Sequence, residues 1–199
     1  MRILHLGSTG VLGKAVSAAL AGRHDTIGAS RNGPAHCARL EDETSLATML
    51  AAAAPLDAVV CTAGEVGFGP LTELTEPALI SGMRAKLFGQ IALARLAFDR
   101  LRDGGSVTLT SGVLNHRPIR GTACGAAVNG ALEGFVRAAA LEAPRGLRIN
   151  LVSPGVLEES WGVYGKHFAG FVPVPAASVA CAYVEAIEGA STGQVFSIS

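Results

Sequence analysis

Three glycines at three-residue spacing, Gly7, Gly10 and Gly13, follow a short apolar run of Ile3, Leu4 and Leu6. The chemistry such a pattern can do is to hold a phosphate. The first glycine admits a tight turn and the second lets the backbone approach a pyrophosphate. The third lets the next helix pack on the strand with its first-turn NH groups aimed at the anion. Ser8 and Thr9 add hydroxyl donors, and Val11 and Leu12 open the helix. Strand, glycine turn, helix and second strand occupy Met1 to Arg31 in the order a dinucleotide site requires. The plainer alternative is a flexible turn of any α/β protein.

The second strand, Thr26 to Ala29, runs into Ser30, Arg31 and Asn32. An NAD site carries an Asp or Glu there for the ribose hydroxyls, and this chain has none. Arg31 instead offers a planar, permanently charged fork suited to a 2′-phosphate, so the expected cofactor is NADP(H). A solvated surface arginine is the other reading of Arg31.

The elements that must position these groups alternate between strand and helix. Only about a dozen residues separate Arg31 from the helical pattern that starts near Glu43, too few for a crossover helix and a full parallel strand. A strand-helix layer is therefore trimmed here. Thr44 to Ala54 reads as helix and Asp57 to Cys61 as a buried strand, which ends in the small-residue turn Thr62, Ala63, Gly64. A turn of that kind at the carboxyl end of a parallel strand is where a ligand crosses a sheet edge. Leu71 to Leu101 carries helical periodicity interrupted near Pro77 and Gly82.

Ser106 to Ser111 is the next strand, the loop GVLNHRPIRG follows, and Thr122 to Ala143 is a long helix rich in small residues. Leu147 to Val152 is a buried strand closed by Ser153, Pro154 and Gly155. Leu157 to Pro175, with Trp161, Tyr164 and His167, reads as a mobile flap, Ala176 to Glu188 as the last helix and Gln194 to Ile198 as the last strand. The alternation implies right-handed crossovers and a Rossmann-like, doubly wound parallel sheet in a three-layer αβα arrangement, with residues 1 to 199 forming a single domain.

Composition narrows the function classes. Sixteen basic and sixteen acidic residues cancel, so no overall field draws nucleic acid or an anionic membrane surface. No apolar run reaches the roughly 18 residues of a membrane span, and the N-terminus enters a strand without a basic region or cleavage site. A cytoplasmic protein without nucleic-acid or membrane partners is expected. Cys37, Cys61, Cys124 and Cys181 have no paired spacing for zinc or redox work, so reduced thiols and no metal are expected.

Five segments, in order, resemble landmarks of the short-chain dehydrogenase/reductase family: GSTGVLG, CTAG, GSVTLTSG, NGALEGF and LRINLVSPG. The resemblance spans essentially the whole chain and implies the fold and the cofactor site, with Thr62, Ala63 and Gly64 at the family's second turn. It implies that Ser111 holds the substrate oxygen and that Pro154, Gly155 and Val156 grip the nicotinamide carboxamide. The family's Tyr-x-x-x-Lys pair is missing, because the alignment of GALEGF puts Gly125 at the tyrosine and Asn129 at the lysine. On the preceding helix the family's Asn-x-x-Gly aligns with Lys86 to Gly89. An Asn has thus become Lys where, elsewhere, a Lys has become Asn.

That exchange implies an ammonium at Lys86 reaching toward the nicotinamide ribose and hydrogen-bonded to Asn129. The alternative is a lysine on an exposed helix face. A proton donor is still needed for the alkoxide that hydride transfer leaves, and the candidates are Ser111, Lys86, His116 and Tyr164. Tyr164 with Trp161 also reads as apolar cover, His116 as a surface histidine, and Arg117 and Arg120 as holders of a substrate carboxylate or phosphate or as solvated arginines.

Two main functions remain open, beside a smaller third in which the nucleotide fold serves dehydration or isomerisation. One is an NADP(H)-dependent oxidoreductase on a small carbonyl or alcohol, with Ser111, Lys86 and Asn129 as a non-standard active site. The other is a catalytically degenerate NADP(H)-binding sensor or regulatory protein. The resemblance also implies a homodimer or homotetramer paired through Leu79 to Leu101 and Thr122 to Ala143.

Overall fold

The computed structural model of the protein describes residues 1–33 and 36–199. Six strands, β1 (Arg2–Leu6), β2 (Asp25–Ala29), β3 (Leu56–Cys61), β4 (Leu101–Thr110), β5 (Arg148–Pro154) and β6 (Val195–Ile198), form one sheet in the order β2-β1-β3-β4-β5-β6. Every pairing is parallel. The order reverses between β1 and β3, so the sheet opens a crevice at the carboxyl ends of these two strands. Between β2 and the next helix the described residues contain a single isolated bridge, Ser30 to Cys37, and no strand. The trimmed layer is thus visible as a sheet that stops at β2.

Alternation along each strand builds two cores. Ile3, Ala58 and Val60 face the side covered by α1 (Val11–Leu20) and the C-terminal helix Ala176–Glu188, packing with Val16, Leu20, Val179 and Tyr183. Leu4, Leu6, Val59, Val107 and Leu109 face the opposite side, where α2 (Glu43–Ala53) supplies Leu46 and Leu50 and two later helices supply Leu93, Val128 and Leu132. These side chains are inaccessible to solvent or nearly so, and burial of each Val, Leu or Ile among them is worth about 1.5–3 kcal/mol. The chain starts α2 at Asp42, whose carboxylate accepts from the Ser45 amide at 3.1 Å.

The segment expected to break at Gly82 does not break there. α3 (Glu76–Gly82), a π-helical stretch over Met83–Phe88 and α4 (Gly89–Phe98) run on with helical dihedrals through Gly82 and Gly89. Pro77 sits in the first turn of α3, where its missing NH is harmless. Gly82 is small for packing instead, because a Cβ there would lie 2.6 Å from the Cys124 sulfur. Strand β4 also departs from expectation. It begins at Leu101 and ends at Thr110, leaving Ser111 just past its end, and its register with β3 shifts between Leu56 and Ala58.

α5 (Ala123–Glu142) follows, and the flap region contains a bridge from Leu157 to Val174 and the short helix α6 (Trp161–Tyr164) before α7, the helix at Ala176–Glu188. Among the described residues no helix is long and apolar enough to cross a membrane, and no three metal-ligating side chains converge.

Candidate functional site

The glycine turn is held from two sides. The amides of Gly7 and Ser8 donate to the Ala29 carbonyl at 2.8 and 3.3 Å, and the Gly10 amide donates to the Gly7 carbonyl at 3.1 Å. A Cβ on Gly13 would lie 2.0 Å from the Gly7 carbonyl oxygen, so only glycine lets α1 come this close to the turn. No side chain caps α1, and the amides of its first turn have no acceptor within the helix. Thr9, Gly10, Arg31, Thr62, Ala63 and Gly64 are among the residues around a cavity of about 330 Å3 beside this turn. Ser8, Val11 and Leu12 belong to the turn without lining the cavity, and the Ser8 hydroxyl is directed at the Ala29 carbonyl, 3.3 Å away.

Beneath the turn lies a group the sequence reading passed over. His5 is fully buried, with its ring nitrogens 3.1 Å from the Ser17 hydroxyl and 2.9 Å from that of Thr62. Desolvation lowers its pKa to about 4, so the imidazole is neutral near pH 7 and braces Thr62 against α1. In a strand of alternating apolar residues, a histidine gives no spacing that would mark it.

A second cavity, of about 320 Å3, opens on the other side of Gly64, which lines both. Lys86 projects into it from the π-helical stretch, a distortion of the kind that collects at functional positions. Its ammonium donates to the Ser111 carbonyl at 2.6 Å and to Asn129 Oδ1 at 3.0 Å, and Asn129 Nδ2 donates in turn to the Gly112 carbonyl at 3.0 Å. Gly64, at φ +122°, is packed against the lysine stem, since a Cβ there would meet Lys86 Cγ at 2.7 Å. Lys86 is buried, and burial lowers its pKa to about 8. An ammonium has three donors, and two have acceptors here.

Ser111, Gly125, Pro154, Gly155 and Val156 line the same cavity. The Ser111 hydroxyl is buried with no hydrogen-bond partner among the described residues. A buried hydroxyl left unpaired costs about 1–3 kcal/mol, and those of Thr108 and Ser153 are unpaired in the same way among the described residues. Gly125 leaves room: a Cβ there would meet nothing closer than Leu114 Cδ1, at 3.8 Å.

Not every candidate converges. His116 is drawn away to Glu133, 2.8 Å from its Oε1, and does not line the cavity. Arg117 donates to the Gly170 carbonyl at 2.7 Å, and its guanidinium lies 3.8 Å from the centre of the Phe171 ring. Tyr164 borders the cavity from the flap.

Two further residues were missed. Gln90 clamps the last residue of β4, donating to the Thr110 carbonyl and accepting from its amide, each at 2.8 Å. It stands one helical turn after Lys86, and two polar residues at i and i+4 in an apolar stretch were a usable signal. Glu133 receives hydrogen bonds from Asn115, His116 and Arg137, fixing the loop after Ser111 to α5. Burial pushes its carboxyl pKa up, but these donors outweigh burial and the net shift is downward.

Known proteins carry the same arrangement of elements. A family model described as enoyl-(acyl carrier protein) reductase matches residues 17–174. Versicolorin reductase 1 of Aspergillus parasiticus is 33% identical over 111 residues, 52% of this chain and 40% of that protein. Hydroxynaphthalene reductase arp2 of Aspergillus fumigatus is 33% identical over 108 residues, 53% of this chain and 40% of that protein. These matches therefore span less than half of the curated relatives' length. Among solved structures, the protein lin1944 from Listeria innocua is 42% identical with a TM-score of 0.98, covering 100% of both chains. A small-chain dehydrogenase in complex with NADPH is 25% identical with a TM-score of 0.89, over 100% of this chain and 96% of that one. The parallel sheet with its switch point, the glycine turn and a family model covering most of the sequence lead to one assignment: this chain belongs to the short-chain dehydrogenase/reductase family.

Proposed function

We propose that this protein is an NADP(H)-dependent oxidoreductase interconverting a small carbonyl compound and its alcohol, with Lys86 as the proton donor. The carrying observation is the buried Lys86 ammonium, held by Asn129 and the Ser111 carbonyl at a cavity that Ser111 also lines, its hydroxyl without a partner among the described residues. The two cavities share Gly64. A dinucleotide there would be held at its diphosphate by Gly7, Thr9, Gly10 and the amides opening α1, and at a 2′-phosphate by Arg31. Thr62, Ala63 and Gly64, and then Pro154, Gly155 and Val156, would hold the remainder up to the nicotinamide. That a relative's structure holds NADPH supports this reading. Bound there, the cofactor supplies or takes a hydride.

The residues do the rest. Ser111 orients the substrate oxygen through the hydroxyl that has no partner among the described residues. The third NH of Lys86 delivers a proton to that oxygen, directly or through the Ser111 hydroxyl, as negative charge grows on it. Asn129 and the Ser111 carbonyl hold the ammonium in place, and desolvation keeps it acidic enough to release the proton near neutral pH. Gly125 and Asn129 stand where the family resemblance puts a tyrosine and a lysine, so Lys86 assumes both the charge and the proton. Pairing of two or four copies through the α3–α4 rod and α5, and a single domain for residues 1–199, belong to the same proposal.

The test mixes the protein with NADPH or NADH and a panel of aldehydes and ketones. NADPH is consumed, with NADH at least about tenfold weaker because a charged hydrogen bond to the 2′-phosphate is lost. The reduction rate falls as pH rises through about 8, where Lys86 loses its proton. NADPH bound but never consumed overturns the proposal in favour of a binding-only protein.

A further inference from the structure

The cavity that holds Lys86 and Ser111 continues past Val156. Val156, Tyr164 and Phe168 also line an adjoining hollow of about 220 Å3, completed by Phe68, Leu157 and Ser160. Phe68 stacks on Tyr164, with centroids 6.2 Å apart and planes 17° from parallel. It meets Phe168 edge-on at 6.5 Å. Phe168 meets Phe171 edge-on at 5.2 Å, and the Arg117 guanidinium over Phe171 holds that end of the flap.

The concentration of rings here is not demanded by folding. Half of the chain's aromatic residues, Phe68, Trp161, Tyr164, Phe168 and Phe171, lie on the two segments that meet at this mouth. The cores beneath are aliphatic, with Tyr183 the one aromatic among the largest fully buried side chains. Phe68 also stacks on His167, with centroids 5.9 Å apart, yet it remains 45% exposed and Tyr164 38% exposed, so part of each ring is still open to a ligand. Such faces and edges select another ring by offset stacking or edge contact. The hollow is an open depression whose volume is large enough for a single benzene-sized ring. A substrate anion finds no welcome from Arg117, which is already engaged with Gly170 and Phe171.

We propose that the substrate class is an aryl ketone or aldehyde and the corresponding aryl carbinol, the ring seated among Phe68, Tyr164 and Phe168 and the oxygen at Ser111 and Lys86. In the reduction the carbonyl carbon gains a hydride from NADPH, the C=O π bond breaks, and its oxygen gains a proton from Lys86. The carbinol and NADP+ leave, and water restores the lysine proton. The oxygen end of this assignment rests on the oxidoreductase reading above, whereas the ring slot can be measured without turnover.

The experiment is calorimetric titration of the protein, with and without NADP+, using 1-phenylethanol and the saturated control 1-cyclohexylethanol. The phenyl compound binds about tenfold tighter, and Phe68→Leu, which keeps apolarity and bulk, brings the two within about threefold. Equal affinities, a preference for the cyclohexyl compound, or no binding of either overturns the ring slot. NADPH consumption with acetophenone and cyclohexyl methyl ketone is read in parallel. A ring preference in binding without any consumption sinks the oxidoreductase reading and leaves the slot standing. Consumption of both ketones at equal efficiency, with equal binding of the carbinols, does the reverse.

Discussion

His5 and Lys86 are both buried bases whose pKa values burial has lowered, and they sit on either side of the turn at Thr62–Gly64. His5 ends near 4, neutral wherever the protein works, with both ring nitrogens engaged by hydroxyls. Lys86 ends near 8, still charged at pH 7, with a cavity in front of it. The same physical cause therefore produces a silent brace in one place and, under the proposed function, a poised acid in the other. What separates them is the starting pKa and whether every donor has an acceptor among the described residues. A buried titratable group is a candidate for chemistry only when its protein partners do not use up its hydrogen-bonding capacity.

The strongest way to break the contrast is Lys86→Met. Carbonyl reduction falls by about 10²–10⁴-fold, the range of a lost general acid, while NADPH affinity by calorimetric titration stays within a few fold. If reduction persists, Lys86 is no more functional than His5. The contrast sharpens from the other side in an acid titration. His5 has a folded pKa below its unfolded value, so the unfolded chain binds the proton more readily, and stability is lost as pH falls from about 6.5 to 4. The full loss is about 3 kcal/mol at 1.36 kcal/mol per unit. It is read as a shift of the urea midpoint, and His5→Gln lacks this component.

Gly64→Ala tests the wall that Lys86 leans on. Its φ of +122° and the close approach to the lysine stem make the substitution cost about 1–3 kcal/mol of stability, measured by thermal or urea unfolding, with reduction slowed as well. The smallest effect is also the most diagnostic. Asn129→Asp places a carboxylate 3.0 Å from the ammonium in place of an amide oxygen, raising the Lys86 pKa by about 1–2 units. The alkaline limb of the pH–rate profile moves up by that amount, and a limb that stays put excludes Lys86 as the titrating group.

Much of the dinucleotide end was legible because its work is done by backbone and spacing. Gly7, Gly10 and Gly13 announce their turn, and the dozen residues after Arg31 announce the missing layer, whose absence leaves β2 at the sheet edge. The substrate end was legible only through an exchange between two helices. Lys86 and Asn129 lie 43 positions apart, and no local pattern joins them, although their contact is direct. Gln90 and Glu133 escaped notice because a polar residue on a helix normally faces water, and only the tertiary packing buries these two. The break expected at Gly82 failed for a related reason. Glycine there answers to the sulfur of Cys124 across the interface, not to the end of a helix.

The π-helical stretch at Met83–Phe88 has a consequence for how such a pocket can change over generations. Each α-helical residue turns the chain by about 100°, and a π turn accommodates one residue more than an α turn. Deleting a single residue within this stretch lets it relax to ordinary α geometry while the sheet and α4 stay where they are. Because the π turn had taken up the extra residue, the helix upstream keeps its place, with Gly82 still against Cys124, and a different side chain within the stretch is presented to the cavity floor. One codon gained or lost at this point can thus re-aim the pocket without asking the fold to be rebuilt.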